Sequence, residues 1–149
     1  MRKLLLSLAL SLFATTGALA ASADQEKAFI DAYKAAFAAQ NADALSALMF
    51  TDGAIPMAAD FYKMMMTEDF GKTLGEVSLQ DLDAEDTAKV SQAMPGPDGA
   101  MAVLTPKPYK KLVITIDTSD SSGTSSSTTT IYVAEKDGKL GIALPAPAP

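Results

Sequence analysis

The sequence predicts an α+β domain in which N-terminal helices lie on one face of a mainly antiparallel sheet. Three observations carry that reading. Apolar residues recur at a helical period between Ser22 and Phe70, and beyond Gly71 the period shortens to alternation. In addition, Lys136-Asp137-Gly138 separates two alternating runs, and Asp-Gly at such a place is a strong hairpin signal. Helices in one block followed by strands in another is the order that segregates helices to one side of an antiparallel sheet.

The first helix is the best marked. At about 100° per residue, Phe29, Ala32, Tyr33, Ala36 and Phe37 fall in one stripe, with Lys27, Asp31, Lys34 and Ala38 opposite. Ser22 and Gln25 have capping-box spacing, and Asp24 places negative charge at the positive end of the helix dipole. Asn41 and Asp43 favour a cap over a helix interior, so a break and a second short helix carrying Leu45, Leu48 and Met49 are expected. Thr51-Asp52-Gly53 reads as a turn, and Pro56 suits the first position of a third helix that runs to Phe70 and is capped by Gly71. Met57, Phe61, Met64, Met65 and Glu68 define its expected core stripe, with Tyr62 and Met66 on the flank.

Residues 73–83 alternate through Val77 and Leu79, with Gly75 placed for a bulge, and predict the first strand. Residues 81–99 are acidic and then Pro- and Gly-containing, which predicts loop with a short turn of helix near Ala88. A short strand over 100–105 is closed by Pro106 and Pro108, and residues 111–117 set Leu112, Ile114 and Ile116 against Lys111, Val113 and Thr115. Residues 128–135 pair with 139–144 across the Asp-Gly turn. The intervening residues 118–127 are wholly Ser, Thr, Gly and Asp and predict a flexible connection, and the Pro/Ala end at 145–149 predicts an extended, disordered tail.

The first twenty residues carry Arg2 and Lys3, an apolar run from Leu4 to Phe13, and Ala18-Leu19-Ala20, the pattern of a secretory signal peptide cleaved after Ala20. The apolar run is shorter than the roughly 20 residues that span a bilayer, so stable membrane insertion after cleavage is not expected. Residues 21–144 then form one domain, exported to a periplasmic or secreted location. Without Arg2 and Lys3, 10 lysines face 18 acidic residues, a net charge of −8, and no arginine is left. Such a chain lacks the planar donor favoured for phosphate and repels polyanions, so nucleic acid is not an expected partner. The absence of cysteine excludes a lipoprotein anchor and a disulfide.

Ala28-Phe-Ile-Asp-Ala-Tyr33, then Asn41-Ala-Asp-Ala-Leu45 opening a second helix, then Ile131-Tyr-Val-Ala-Glu-Lys-Asp-Gly-Lys-Leu-Gly-Ile142 make the chain resemble the nuclear transport factor 2-like family, of cystatin-like type. The resemblance covers nearly all of residues 21–149. It implies N-terminal helices packed on the concave face of a curved sheet, the first helix lying in a cone whose mouth often holds a ligand. The short connection over residues 50–55 departs from members that carry extra strands there. Ketosteroid isomerase-like and polyketide cyclase-like members move protons in the cone with Asp, His or Tyr. This chain has no His, which leaves Asp31, Asp52, Asp60 or Glu76 with Tyr33, Tyr62 or Tyr109, and none matches a catalytic motif of those enzymes.

No catalytic residue, cofactor or metal site is therefore assigned. Glu26 and Gln40 lie within the stripe of the first helix near its two ends, so the ligand-pocket candidates are Glu26, Tyr33, Phe37, Gln40, Phe61 and Tyr62. Met57, Met64, Met65, Met66, Met94 and Met101 could offer sulfur to copper, but no His or Cys completes such a site. Asp81, Asp83, Glu85 and Asp86 fail the calcium-loop pattern, because its sixth position is Asp86 and its twelfth Gln92. The function expected is non-catalytic binding of a small molecule or protein, against a proton-transfer enzyme and a structural protein with a filled cone. A homodimer through the sheet is expected as well, because its outer face presents Val113, Tyr132 and Ala134 with few charges.

Overall fold

The first helix is built as its sequence dictates. The computed structural model describes residues 21–96 and 99–149, and the signal-peptide expectation falls outside the described residues. Helix α1, Ala23–Ala38, opens on the capping box: Ser22 Oγ accepts from the Gln25 N–H at 3.2 Å, and Gln25 Oε1 accepts from the Ser22 N–H at 2.8 Å. It closes on a Schellman turn in which the N–H of Asn41 donates to Ala36 O and that of Gln40 to Phe37 O, each at 2.9 Å. Gln40, with φ 51°, stands where glycine is usual. Asn41 then caps α2, Ala42–Ser46, by accepting from the Ala44 N–H at 3.0 Å. Leu45 is fully buried, whereas Leu48 and Met49 lie beyond the end of α2.

Helix α3, Pro56–Thr67, differs from its prediction in length and in facing. It ends at Glu68, and Gly71, with φ 87°, serves the turn that follows. Met57, Phe61 and Met64 are 55%, 50% and 61% exposed, while Ala58 and Met66 are buried and Tyr62 and Met65 pack on the core. The period fixes which side chains share a face but not which face turns inward, and α3 is apolar over most of its circumference. The small Ala58 lets the helix approach Ile55 and Ala102, and that close side faces in.

The main sheet contains β1, Thr73–Asp81, β4, Lys110–Asp120, β5, Gly123–Lys136, and β6, Lys139–Ile142, antiparallel in the order β1-β4-β5-β6. The register of β1 shifts between Leu74 and Val77, as the position of Gly75 predicts; a Cβ there would lie 3.0 Å from Asp117 Oδ2 and 3.2 Å from Thr115 O. Residues 118–127 are not a loose connection. Strands β4 and β5 stay in register through Asp120↔Gly123, and the Ser122 N–H donates to Asp120 Oδ1 at 2.7 Å across the turn. Buried pairs such as Leu112↔Ile131 fix the register, and the Ser/Thr stretch needs no apolar face to continue a ladder already begun. Leu112, Ile114, Ile116, Ile131 and Val133 meet Phe29, Tyr33, Ala36 and Phe37 of α1. Ala32, at the margin of the predicted stripe, is exposed.

A second sheet holds β2, Met94–Pro95, β3, Met101–Thr105, and β7, Leu144–Pro147, in the order β2-β3-β7. The chain end expected to be a loose tail is thus a strand, paired Leu104↔Pro145 and Val103↔Ala146. Its prolines are tolerated because they face away from β3. Pro145 O accepts from the Ile55 N–H, whereas the Ala148 N–H reaches Met101 O, so the alternate residues supply the ladder donors. The predicted loop at 81–99 contains a full helix, α4, Ala84–Ser91, capped by Asp83. None of the helices among the described residues is long and apolar enough to cross a membrane.

Candidate functional site

The six pocket candidates do not converge. Tyr33 and Phe37 line a hollow of about 10 Å³ between α1 and the sheet, no more than the room of one water. Burial, with the Asp69 charge nearby, pushes the Tyr33 hydroxyl up to about 12. Gln40 lies at an open surface hollow with Phe37, Gly71 and Lys72. Glu26 ties α1 to the start of β4, with Oε1 3.4 Å from Tyr109 Oη and 3.3 Å from Lys110 Nζ. Burial and then the Glu26 charge push the Tyr109 hydroxyl up to about 12. Phe61 is exposed and meets the Tyr62 ring edge-on, with centroids 6.2 Å apart.

The carboxylates considered for proton transfer are scattered too. Asp31 pairs with Lys27 at 2.5 Å, Asp52 with Lys136 at 3.7 Å, and Asp60 and Glu76 are exposed. The tyrosine–carboxylate hydrogen bonds of the described residues are instead Tyr109 to Glu26 and Tyr132 to Asp86. No group of three or more Asp or Glu among the described residues is arranged to hold a metal ion.

Tyr62 alone of the six lines a sizeable apolar cavity, of about 210 Å³, between α4, α3 and the second sheet. One wall is β3, through Ala102, Val103 and Leu104; another is Met94 and Pro95 of β2; Pro145 of β7 and Tyr132 of β5 close it. The last turn of α4 and the residue after it bring Lys89 and Gln92.

A polar clamp holds α4 on the outer face of the main sheet. Tyr132 donates its hydroxyl to Asp86 Oδ1 at 2.8 Å, and Lys111 Nζ reaches Asp86 Oδ2 at 2.5 Å and Asp83 Oδ2 at 3.2 Å. Lys111 and Tyr132 are cross-strand partners, so β4 and β5 present both donors side by side. Asp86 is only 7% exposed. Lys111, then Tyr132, hold its carboxyl down to about 2. Asp83 is lowered as well, first by the Asp86 N–H it accepts and then by Lys111.

Sequence reasoning missed Lys89, Met94, Leu104, Tyr132 and Pro145 as lining residues, because it assigned their neighbourhoods to a loop, a short strand, an association face and a tail with nothing to bring them together. One signal was available: Asp83 with Asp86 three residues on, and then Val90, is a cap followed by an apolar anchor. No protein-family model matches the chain, and no curated protein or solved structure matches it either.

Proposed function

We propose that this chain is an exported, non-catalytic binding domain of nuclear transport factor 2-like type that takes a small apolar ligand between α4 and the second sheet. The observation that carries it is the cavity of about 210 Å³ walled by Tyr62, Met94, Leu104, Tyr132 and Pro145. An apolar cavity of about 150 Å³ accepts benzene, so this one suits a single substituted ring or a short alkyl chain. The family part of the proposal draws on the helices-then-strands order and on α1 lying against one face of a four-stranded antiparallel sheet. The hollow beside Tyr33 and Phe37, between that helix and the sheet, has room for no more than a water, and the one at Gln40 is open and less apolar, which favours a ligand on the other side of the sheet.

Methionine-methyl NMR tests this. Titration with toluene should shift the Met94 methyl saturably and leave those of Met57 and Met64, on the outer side of α3, in place. Leu104→Trp, which fills the cavity, should abolish the shift. A silent Met94 would leave the second reading, a structural protein with a filled cone, which the hollow of about 10 Å³ under α1 favours.

A further inference from the structure

We infer that the ligand of this cavity is a monocarboxylate, an aryl or short alkyl group bearing one carboxylate that meets Lys89 at the mouth. The inference rests on the cavity reading above and adds its chemical class. The chain has 18 acidic residues against 12 basic ones, yet among the described residues the charged one lining this cavity is a lysine and no carboxylate lines it. Of the acids at the start of the same helix, Asp83 and Asp86 are occupied elsewhere. Asp86 spends one oxygen on Tyr132 and the other on Lys111, and Asp83 caps α4 and meets Lys111.

Among the described residues the ion-pair partner of Lys89 is Glu85, at 2.7 Å, in an i,i+4 pair whose side chains are 55% and 77% exposed. Exposed pairs of this kind contribute little, so the ammonium can turn to a better-placed acceptor without loss to the fold. Gln92 adds an amide donor at the same rim. One ammonium and one amide match a carboxylate. They are too few for a phosphate dianion, and residues 21–149 contain no arginine to grip one. An amine would meet the like charge of Lys89. The apolar body would lie against Met94, Leu104 and the Tyr62 ring.

Two isosteres separate the carboxylate from the shape: 3-phenylpropionate and 3-phenylpropionamide, titrated against the same protein with the Met94 methyl as reporter. Both should bind, the carboxylate about five- to tenfold more tightly, in the range expected when one hydrogen bond gains a charge. Lys89→Met should remove that preference, so that within the variant the two compounds bind equally. Glu85→Gln, which frees the ammonium, should tighten carboxylate binding further. Equal affinities in the wild type, or a preference that survives Lys89→Met, would overturn the inference while leaving the cavity reading intact. Failure of both compounds to shift Met94 would overturn the cavity reading and this one with it.

Discussion

Gln40 shows how much one backbone position decides. It takes φ 51° so that Asn41 and Gln40 can satisfy the last carbonyls of α1, and only glycine adopts that region without steric cost. Gln40→Gly is therefore expected to stabilise the fold by about 1 kcal/mol, measured as a rise in denaturation midpoint. A fall would show that the amide side chain contributes more than the strain costs. Nothing in the local sequence marks the site, because the left-handed residue is not a glycine. Gly75 is the opposite case: its place in an alternating run is a visible bulge signal, and the two contacts its missing Cβ avoids explain it.

At the scale of elements, α1 and α3 contrast. In α1 the polar residues opposite Phe29 and Phe37 leave one way to face, and Phe37 is 4% exposed, stacked on Tyr33 and edge-on to Phe70 at 5.6 Å. Phe37→Ala should cost about 3 to 5 kcal/mol, a large share of the roughly 5 to 15 kcal/mol typical of a domain. Chemical denaturation would measure it, and an unchanged midpoint would contradict the packing. In α3 the apolar arc is too wide to choose a face, so its stripe and its orientation are separate facts. Met57, Phe61 and Met64 remain as an exposed row beside the buried one.

At the scale of the whole molecule, the clamp of Asp86, Lys111 and Tyr132 joins α4 to the main sheet and so fixes one wall of the cavity. The Asp86 carboxyl falls from its ordinary 3.8 to about 2 on folding. The unfolded chain therefore binds the proton more readily, so the stabilisation is complete above the ordinary value and is lost as pH falls toward about 2. Acid titration should show wild type losing more stability than Asp86→Asn over that window, and parallel curves would refute the linkage. The homodimer expected through the outer sheet face has less surface than its sequence suggested. Ala134 is fully buried and Tyr132 is bonded to Asp86, which leaves Val113 with Thr115 and Thr130. Sedimentation at micromolar concentration is expected to show a dimer that Val113→Lys disperses, and a wild type that stays monomeric removes the proposal.

The sequence by itself determined the elements whose signals are local and unambiguous. These are the Ser22 capping box, the one-sided stripe of α1, the Gly75 bulge, the Leu112-Ile114-Ile116 alternation and the Asp137-Gly138 hairpin. It left undecided whatever depends on partners far along the chain. Residues 118–127 become strand because a register set at Leu112 and Ile131 carries on past them, and the Pro/Ala end becomes β7 because β3 offers an edge that tolerates its prolines. The cavity falls in the same class. Tyr62, Lys89, Leu104, Tyr132 and Pro145 come from five separate elements, and only the packing of α4 and the second sheet on the outer face of the first brings them together. Local periodicity says which side chains share a face, and only the tertiary structure decides what that face meets.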